Sequence, residues 1–457
     1  MNYSIGLCGM QTMIHCSLVI FFLGGLATMS YYRNSIQEVA SHDITVTLTN
    51  TVTNKNVDTR VIDHQEGASH NITVTLTNKV TNKNVATRVF DHQEKLRSPP
   101  TSLTGACDLF SGRWVYDDTS HYPLYKEREC PFLHDSFACQ TYGRKDSKYQ
   151  HWRWQPHGCE FPRFAGKEII ERLKGKRLLF VGDSLNRNQW NSMICILDSL
   201  IPGVKTMGGG LNGFLRTFKA TDYNISVDFY WDPLLVESNG DNPTNHRTDS
   251  RIVGIKAIEK HAKHWVDADI LIFNSYNWWR APVVKLIKSG ESLLDDPNQE
   301  YEEVDSLHAY EMGLKTWSNW AHTHIDPSKT KLFFMGATAT HFSAKEWGGM
   351  SNKNCYGETE PVMDDRFWES RTDSKMLSIL YSSLNKLKTT RVNIQLINIT
   401  QLTQCRKDAH PTVFKKQWRP FTNEQKKNPQ LASDCSHWCL PGVPDIWNEL
   451  LLAYILR

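Results

Sequence analysis

The chain has 457 residues, a formal net charge of +3 and 40% hydrophobic residues. That length buries a large core, and one main domain with an appendage is the natural expectation. Near-cancelling charge excludes a dedicated nucleic-acid binder, which carries a strong basic excess, so no nucleic-acid partner is expected.

The first charged residue is Arg33. Before it, residues 13–29 read MIHCSLVIFFLGGLATM, a run of about 17 mostly apolar residues at the short end for a bilayer span. A cleaved signal peptide is the rival, but residues 1–12 lack the positive n-region and no small-x-small cleavage site follows. The expected start is therefore a cytosolic tail over 1–12 and a transmembrane signal anchor over 13–29.

The chain carries eleven cysteines. Beyond the apolar run stand Cys107, Cys130, Cys139, Cys159, Cys195, Cys355, Cys405, Cys435 and Cys439. No pair has CxxC spacing and no His–Cys cluster has finger spacing, so no metal is expected and disulfides are. Sequons at Asn71, Asn224 and Asn398 fit a glycosylated lumenal chain.

After the apolar run, residues 41–66 recur as residues 69–94, a tandem repeat with a period of 28. Each copy alternates Val, Ile or Leu with Thr, which allows a weak hairpin, and two copies are too few for a solenoid. Residues 30–104 read as a lumenal stem, closed by the breaker Ser98-Pro99-Pro100. Residues 105–165 turn to Cys, aromatic and turn residues, the composition of a disulfide-stapled minor lobe.

From 166 to 457 apolar runs alternate with helical stretches. RLLFVG (177–182), VDFYW (227–231), DILIFNS (269–275), KLFFMGA (331–337) and VNIQLIN (392–398) read as buried strands. Helices are expected at about 184–200, 252–266, 301–324, 374–387 and 444–452. This alternation predicts an α/β domain, a mainly parallel sheet covered on both faces.

Two short motifs carry chemistry. In FVGDSLNRNQW (180–190) a strand ends at Gly182-Asp183-Ser184 and turns into a helix, placing Ser184 at the carboxyl edge of the sheet, where α/β folds put ligands. The helix start offers free N–H groups for an oxyanion, although a capping serine looks the same in sequence. A serine nucleophile needs a base, and the base an orienter. Near the other end, Asp434 and His437 stand three apart in a loop before the last helix. Asp434 can orient one ring nitrogen of His437 while the other faces Ser184.

Gly182-Asp183-Ser184 with Asp434-x-x-His437 resembles the GDSL/SGNH hydrolase superfamily. CDLFSGRWVYDD (107–118), CPFLHDSFACQTYGRKDSKYQHWRWQPHGCEFPRF (130–164), FVGDSLNRNQW and DCSHWCLPGVPDIWNELL (434–451) resemble the plant trichome-birefringence-like family more closely, over 107 to about 452. WGGMSNKNCYGETEP (347–361) resembles its xylan-acetylating members. The resemblance implies an SGNH-like three-layer α/β/α sandwich in a single-pass type II Golgi membrane protein. It further implies transfer of acetyl through a seryl acyl-enzyme onto polysaccharide hydroxyls, with xylan O2 and O3 the expected acceptors. No bound cofactor is expected, only an acetyl donor, acetyl-CoA or another acetyl carrier; no Gly-rich phosphate cradle is evident. The rivals are an esterase with the same triad and a polysaccharide-binding protein with a vestigial one.

For the remaining superfamily blocks, Asn274 and Gly208, within the run Gly208–Gly210, are the oxyanion candidates. Arg187 and Asn188, with Gln189, lie a turn past Ser184 and are candidates for orienting the site or the sugar. Trp278, between Asn277 and Trp279-Arg280, is a candidate stacking platform. Arg144, with Trp152 and Trp154, is a candidate for closing the groove, and His261, His264, His322 and His324 read as solvated. Cys405 alone falls outside the family-like strings and reads as the odd cysteine. The others are expected to pair as Cys107–Cys159 and Cys130–Cys195, leaving Cys139, Cys355, Cys435 and Cys439 with three possible pairings, of which Cys139–Cys435 and Cys355–Cys439, bracing the Asp434–His437 loop, are the expected ones.

Overall fold

The computed structural model describes residues 107–117, 121–246, 250–290, 299–364 and 374–456, plus the backbone of two three-residue strands in the repeat region. The chain divides into two compact units, Met1–Glu94 and Lys95–Arg457. In the first, β1 (Val46–Leu48) and β2 (Val74–Leu76) pair in parallel, Val46 opposite Val74. The repeat therefore pairs copy against copy at its own period over these residues, and the weak hairpin that each copy allows lies outside the described residues. The anchor expected over 13–29 and the sequon at Asn71 lie outside the described residues. Among the described residues no helix is long and apolar enough to cross a membrane.

The second unit begins with the minor lobe. Its ribbon pairs β3 (Gly112–Tyr116) antiparallel with β4 (Trp152–Pro156). Trp114, Trp152 and Trp154 are buried on one face of the ribbon, as the period-two rule requires of a strand packed on a core.

The α/β part follows in chain order: α1 (Gly166–Leu173), β5 (Arg177–Gly182), α2 (Ser184–Leu200), β6 (Lys205–Gly210), β7 (Leu215–Ala220), β8 (Ile225–Trp231), β9 (Arg251–Val253), β10 (Ile270–Asn274), β11 (Val284–Ile287), β12 (Tyr301–Val304), α3 (Ser306–His324), β13 (Lys331–Met335), α4 (Ser374–Lys388), β14 (Ile394–Ile397) and α5 (Val443–Ile455). The main sheet has the order β14-β13-β10-β5-β8-β7-β6. The strands from β14 to β8 run parallel, and β7 and β6 add an antiparallel meander at one edge.

Strand β5 shows why the sheet is covered on both sides. Leu178 and Phe180 face one core with Trp190, Met193 and Leu197 of α2 and Trp447 and Leu450 of α5. Leu179 and Val181 face the other with Tyr310, Leu314 and Trp317 of α3 and Leu380 and Leu384 of α4. The α/β sandwich expected from the sequence is present. Because the chain leaves β5 for β8 on one flank and then reaches β10 on the other, a crevice opens at the carboxyl end of β5. Ser184 stands in that crevice.

Some elements differ from expectation. The helix expected over 252–266 is strand β9 followed by one helical turn, Glu259–Ala262. The helix expected from 301 starts at Ser306, because Asp305 caps it by accepting from the Leu307 and His308 N–H groups, and Tyr301–Val304 pairs with β11 instead. Strand β6 is exposed along almost its whole length and β7 is buried only at Phe218 and Ala220, so they lack the continuous apolar signal of the parallel strands.

Helices α2 and α5 meet through buried polar groups. Asp445 accepts from the Ser192 hydroxyl at 2.6 Å, the Gly442 N–H at 2.7 Å and the Tyr125 hydroxyl at 3.0 Å. Burial nevertheless pushes its carboxyl up to about 6, above the roughly 3.9 of an unfolded aspartate. The stability its proton contributes is therefore complete below the unfolded value and is lost as pH rises through about 6. Between about pH 4 and 7, wild type should lose up to about 3 kcal/mol of stability relative to Asp445→Asn. Denaturant titrations at each pH test this, and parallel curves for the two proteins would refute it.

Candidate active site

Strand β5 ends and α2 begins with one residue between them. Asp183 occupies that position and its carboxylate accepts from the Leu185 N–H at 2.8 Å, capping the helix. Gly182 is required there because a side chain would collide with the Asn274 carbonyl and the Asn186 side chain. The close approach of β5 to β10 that this permits puts Asn274 beside the nucleophile turn, opposite Gly182 in register. The Asn186 amide closes the junction by donating to the Val181 and Ile272 carbonyls at 2.8 and 3.1 Å.

The structure brings Ser184, His437 and Asp434 into one chain of hydrogen bonds. His437 Nε2 lies 2.8 Å from Ser184 Oγ, and its Nδ1 lies 2.8 Å from Asp434 Oδ2. Asp434 Oδ1 accepts from the N–H groups of Ser436 and His437 and from the Ser436 hydroxyl. Lys415, unnoticed in the sequence, places its ammonium 2.5 Å from Asp434 Oδ2. Burial alone would raise the Asp434 carboxyl, but His437 and Lys415 overcome it and hold that group well below the usual carboxylate range. The carboxylate thus stays ionised and keeps the proton on His437 Nδ1, leaving Nε2 to face the serine.

The loop carrying His437 is gripped from several sides. Asn188 gives its amide to the Trp438 carbonyl at 3.2 Å and accepts from the Trp438 N–H at 2.8 Å. It is fully buried, so of the two expected roles, orienting the site or holding the sugar, its bonds serve the first. Gln189 is likewise buried, bonded to Asn448. His410 Nδ1 reaches the His437 carbonyl at 2.6 Å and its ring stacks on Trp438 at 4.2 Å between centroids. Arg144 is buried too, donating to the carbonyls of Asp408 and His410 at 2.6 and 2.9 Å. It therefore braces the loop from the minor lobe and is not a groove-closing sugar contact.

Disulfides complete the grip. Cys107–Cys159 closes the minor lobe and Cys130–Cys195 fastens it to α2. The other two exchange partners relative to expectation: the bonds are Cys139–Cys439 and Cys355–Cys435. The backbone explains the exchange. His341 N–H donates to the Cys435 carbonyl and Cys355 N–H to the His341 carbonyl, drawing Cys355 to Cys435. Leu440 N–H donates to the Phe137 carbonyl, drawing Cys439 toward Cys139. Cys405 retains its thiol.

The other candidates are scattered. Gly208 is exposed on the edge strand β6, three strands from β5, so it is not an oxyanion donor. Asn274 is buried at the strand edge, and its side-chain amide makes no hydrogen bond among the described residues, leaving it available to an oxyanion. Trp278 is half-buried, edge-on to Trp231 and under the Arg251 guanidinium, a packing role; Trp279 is core. Arg187 lies one turn past Ser184, with its Nε buried and unbonded. His261, expected to be solvated, is fully buried, bonded to Asp241 and Tyr230. With Asp232 and Asp241 it forms the one grouping of metal-ligand types among the described residues, and both of its ring nitrogens are already engaged. Of the sequons, Asn224 is exposed in a left-handed turn and Asn398 is half-buried.

Peptide mapping of the non-reduced protein should recover Cys139–Cys439 and Cys355–Cys435, and recovery of Cys139–Cys435 would refute this frame. Asn188→Leu, which abolishes both bonds to Trp438, should lower kcat about ten- to a hundredfold with little change in KM. An equal fall in a purely structural readout, such as the loss of folded protein, would show instead that Asn188 supports only the core.

The chain was compared with known proteins. The PC-Esterase family, GDSL/SGNH-like acyl-esterases found in Pmr5 and Cas1p, matches residues 161–454, and the PMR5 N-terminal domain matches residues 105–160. Protein trichome birefringence-like 34 of Arabidopsis thaliana is 51% identical, covering 77% of this chain and 85% of its own length. Xylan O-acetyltransferases 14 and 13 of Oryza sativa subsp. japonica are each 47% identical, covering 79% and 77% of this chain and 80% and 70% of their own. Their similarity, like the family match, spans both the minor lobe and the α/β part, and the chain belongs to the GDSL/SGNH-like acyl-esterase family found in Pmr5 and Cas1p.

Proposed function

We propose that the protein is a xylan O-acetyltransferase that carries acetyl on Ser184. The observation that carries this reading is the hydrogen-bonded chain Ser184–His437–Asp434, found in a chain whose relatives are named xylan O-acetyltransferases. His437 Nε2 takes the Ser184 proton as Oγ attacks the acetyl carbonyl carbon. The tetrahedral oxyanion is met by the Ser184 N–H at the helix start and the Asn274 amide. The donor's leaving group departs with the proton from Nε2, leaving acetyl-serine. A xylosyl O2 or O3 hydroxyl then gives its proton to Nε2 and attacks the acetyl carbon, forming the new ester as the bond to Ser184 Oγ breaks and Oγ takes the proton back from Nε2. Asp434 stabilises the imidazolium in both halves.

The same reading places the enzyme in the Golgi lumen, held by residues 13–29 as a type II anchor and kept off the membrane by the duplicated stem. The support is the apolar run, the repeat behind it and four disulfides that need an oxidising compartment.

Ser184→Ala should abolish acetylation of xylo-oligosaccharide, read by product mass, while the protein keeps its melting temperature. Asp434→Asn should cost on the order of 10³–10⁴ in kcat. Wild-type transfer by the folded Ser184→Ala variant would defeat the assignment, and release of acetate without acetylated sugar would make the enzyme an esterase.

A further inference from the structure

Away from Ser184, His437 and Asp434, three separate segments bring metal-ligand side chains together in the core. Asp232 is the first residue after β8. Asp241 closes a turn by donating its N–H to the Ser238 carbonyl at 3.1 Å. His261 lies in the single helical turn Glu259–Ala262. The segments are laid against one another through Glu237, whose N–H donates to the Ala257 carbonyl at 2.7 Å and whose carbonyl accepts from the Gly254 N–H at 2.8 Å. One ligand atom from each of Asp232, Asp241 and His261 lies within 4.8 Å of the others, and the three residues are 0%, 5% and 0% exposed.

Each carboxylate is tied down by one oxygen. Asp232 Oδ1 accepts from the Leu235 N–H at 3.0 Å, while its Oδ2 is buried with no hydrogen-bond partner. Asp241 Oδ1 accepts from the Ser238 N–H and hydroxyl at 3.0 and 2.9 Å, while its Oδ2 lies 2.8 Å from His261 Nε2. A buried carboxylate oxygen without a donor is costly unless a cation meets it. The neighbouring cation, Lys260, is half-exposed and serves another acid: its ammonium lies 2.8 Å from Glu237 Oε1 and 3.7 Å from Asp241 Oδ2. With His261 neutral, Asp232 and Asp241 keep two unbalanced negative charges.

His261 can pass from bonding Asp241 to ligating an ion without leaving its other nitrogen unsatisfied. Its Nδ1 lies 3.1 Å from the Tyr230 hydroxyl, a group that can donate or accept. When Nδ1 carries the proton and donates it to the hydroxyl oxygen, Nε2 turns its lone pair to the space shared with the carboxylates. A ligating histidine is held by such a bond from its second nitrogen. The Leu235 N–H and the Ser238 N–H and hydroxyl hold the two carboxylates in the same way. Zinc binds imidazole nitrogen and carboxylate oxygen at about 2.0–2.2 Å, so the three atoms need close by little more than about 1 Å to share one ion.

We propose that Asp232, Asp241 and His261 bind one divalent transition-metal ion, zinc or manganese, at a structural site. Two carboxylates balance the charge of a divalent ion, and the mixed oxygen and nitrogen set suits these metals, whereas calcium and magnesium take oxygen shells. The site braces the turn that carries Ser184, because the Asp232 N–H donates to the Gly182 carbonyl at 3.0 Å. The ion thus ties the end of β8, and through it the Gly182-Asp183-Ser184 turn, to the segments that carry Asp241 and His261. It takes no part in the steps of acyl transfer, and the inference stands or falls independently of them.

The test uses the full chain, wild type and Asp232→Asn, stripped with a chelator and then given zinc or manganese. Asp232→Asn keeps the side-chain shape and the acceptor for the Leu235 N–H and removes the charge. Elemental analysis of wild type should find close to one equivalent of one of the two ions. Stripping should lower the melting temperature, and returning that ion should restore it. Cobalt(II) put in its place should develop visible d–d absorption. Asp232→Asn should bind the ion at least about a hundredfold more weakly, and neither stripping nor the ion should move its melting temperature. His261→Gln should behave likewise, and if it fails to fold, Asp232→Asn carries the test. A wild type that binds neither ion, with a melting temperature that ignores both, overturns the site and leaves the three groups as a proton-sharing network. Undiminished binding by Asp232→Asn also overturns it, since the ion then sits elsewhere.

Discussion

The side chain of Asn188 spans the distance between two ends of the polypeptide. It donates to the carbonyl and accepts from the N–H of one residue, Trp438, with both bonds buried. Ser184 is fixed by the turn from β5 into α2, and His437 by a loop 253 residues later in the chain. A serine and an imidazole on separate rigid bodies would need only about 1 Å of drift to lose their hydrogen bond, at a cost near a hundredfold in rate. Seating the His437 loop on the same helix that begins with Ser184 makes the serine and the imidazole parts of one body. The polar run on the inner face of α2, unusual for a buried helix, is what that seating requires.

The remaining bracing acts on the same loop from outside. Arg144, His410 and two disulfides approach it from the minor lobe and from the segment around His341. The minor lobe therefore acts on the chemistry by position: it buttresses the loop that carries the base and also contributes Phe137 to the flank of the His437 ring. Lys415 adds an electrostatic restraint, since a carboxylate shared between an ammonium and an imidazole has little freedom to turn away.

What could be read in the sequence was what lies close along it. The strand–turn–helix around Ser184 is contiguous, and Asp434 and His437 are three residues apart, so their roles follow from local pattern. The parallel strands β5, β10 and β13 are buried on both faces and read as unbroken apolar runs. The meander lies exposed at the sheet edge and β6 ends in glycines, a weak signal, and its Gly208–Gly210 run therefore attracted a role it does not hold. Asn188 and Arg144 were legible as functional but not as braces, because their partners are backbone groups more than two hundred residues away. The two loop disulfides were exchanged for the same reason: Cys435 and Cys439 lie four residues apart, and only the tertiary hydrogen bonds around His341 and Phe137 decide which faces which partner.

The bond between Cys139 and Cys439 spans 300 residues. It makes the catalytic unit close to a covalent circle, and that has a consequence for biosynthesis. The ribosome delivers the minor lobe first, yet the thiol of Cys139 has no lasting partner until residue 439 has been made. Cys107, Cys130, Cys159 and Cys195 can pair early and among themselves, whereas Cys139 and Cys355 must wait for the final segment. Maturation is thus ordered from a stapled amino-terminal seed to a terminal clasp. The step that fastens the clasp is also the step that brings His437 to Ser184.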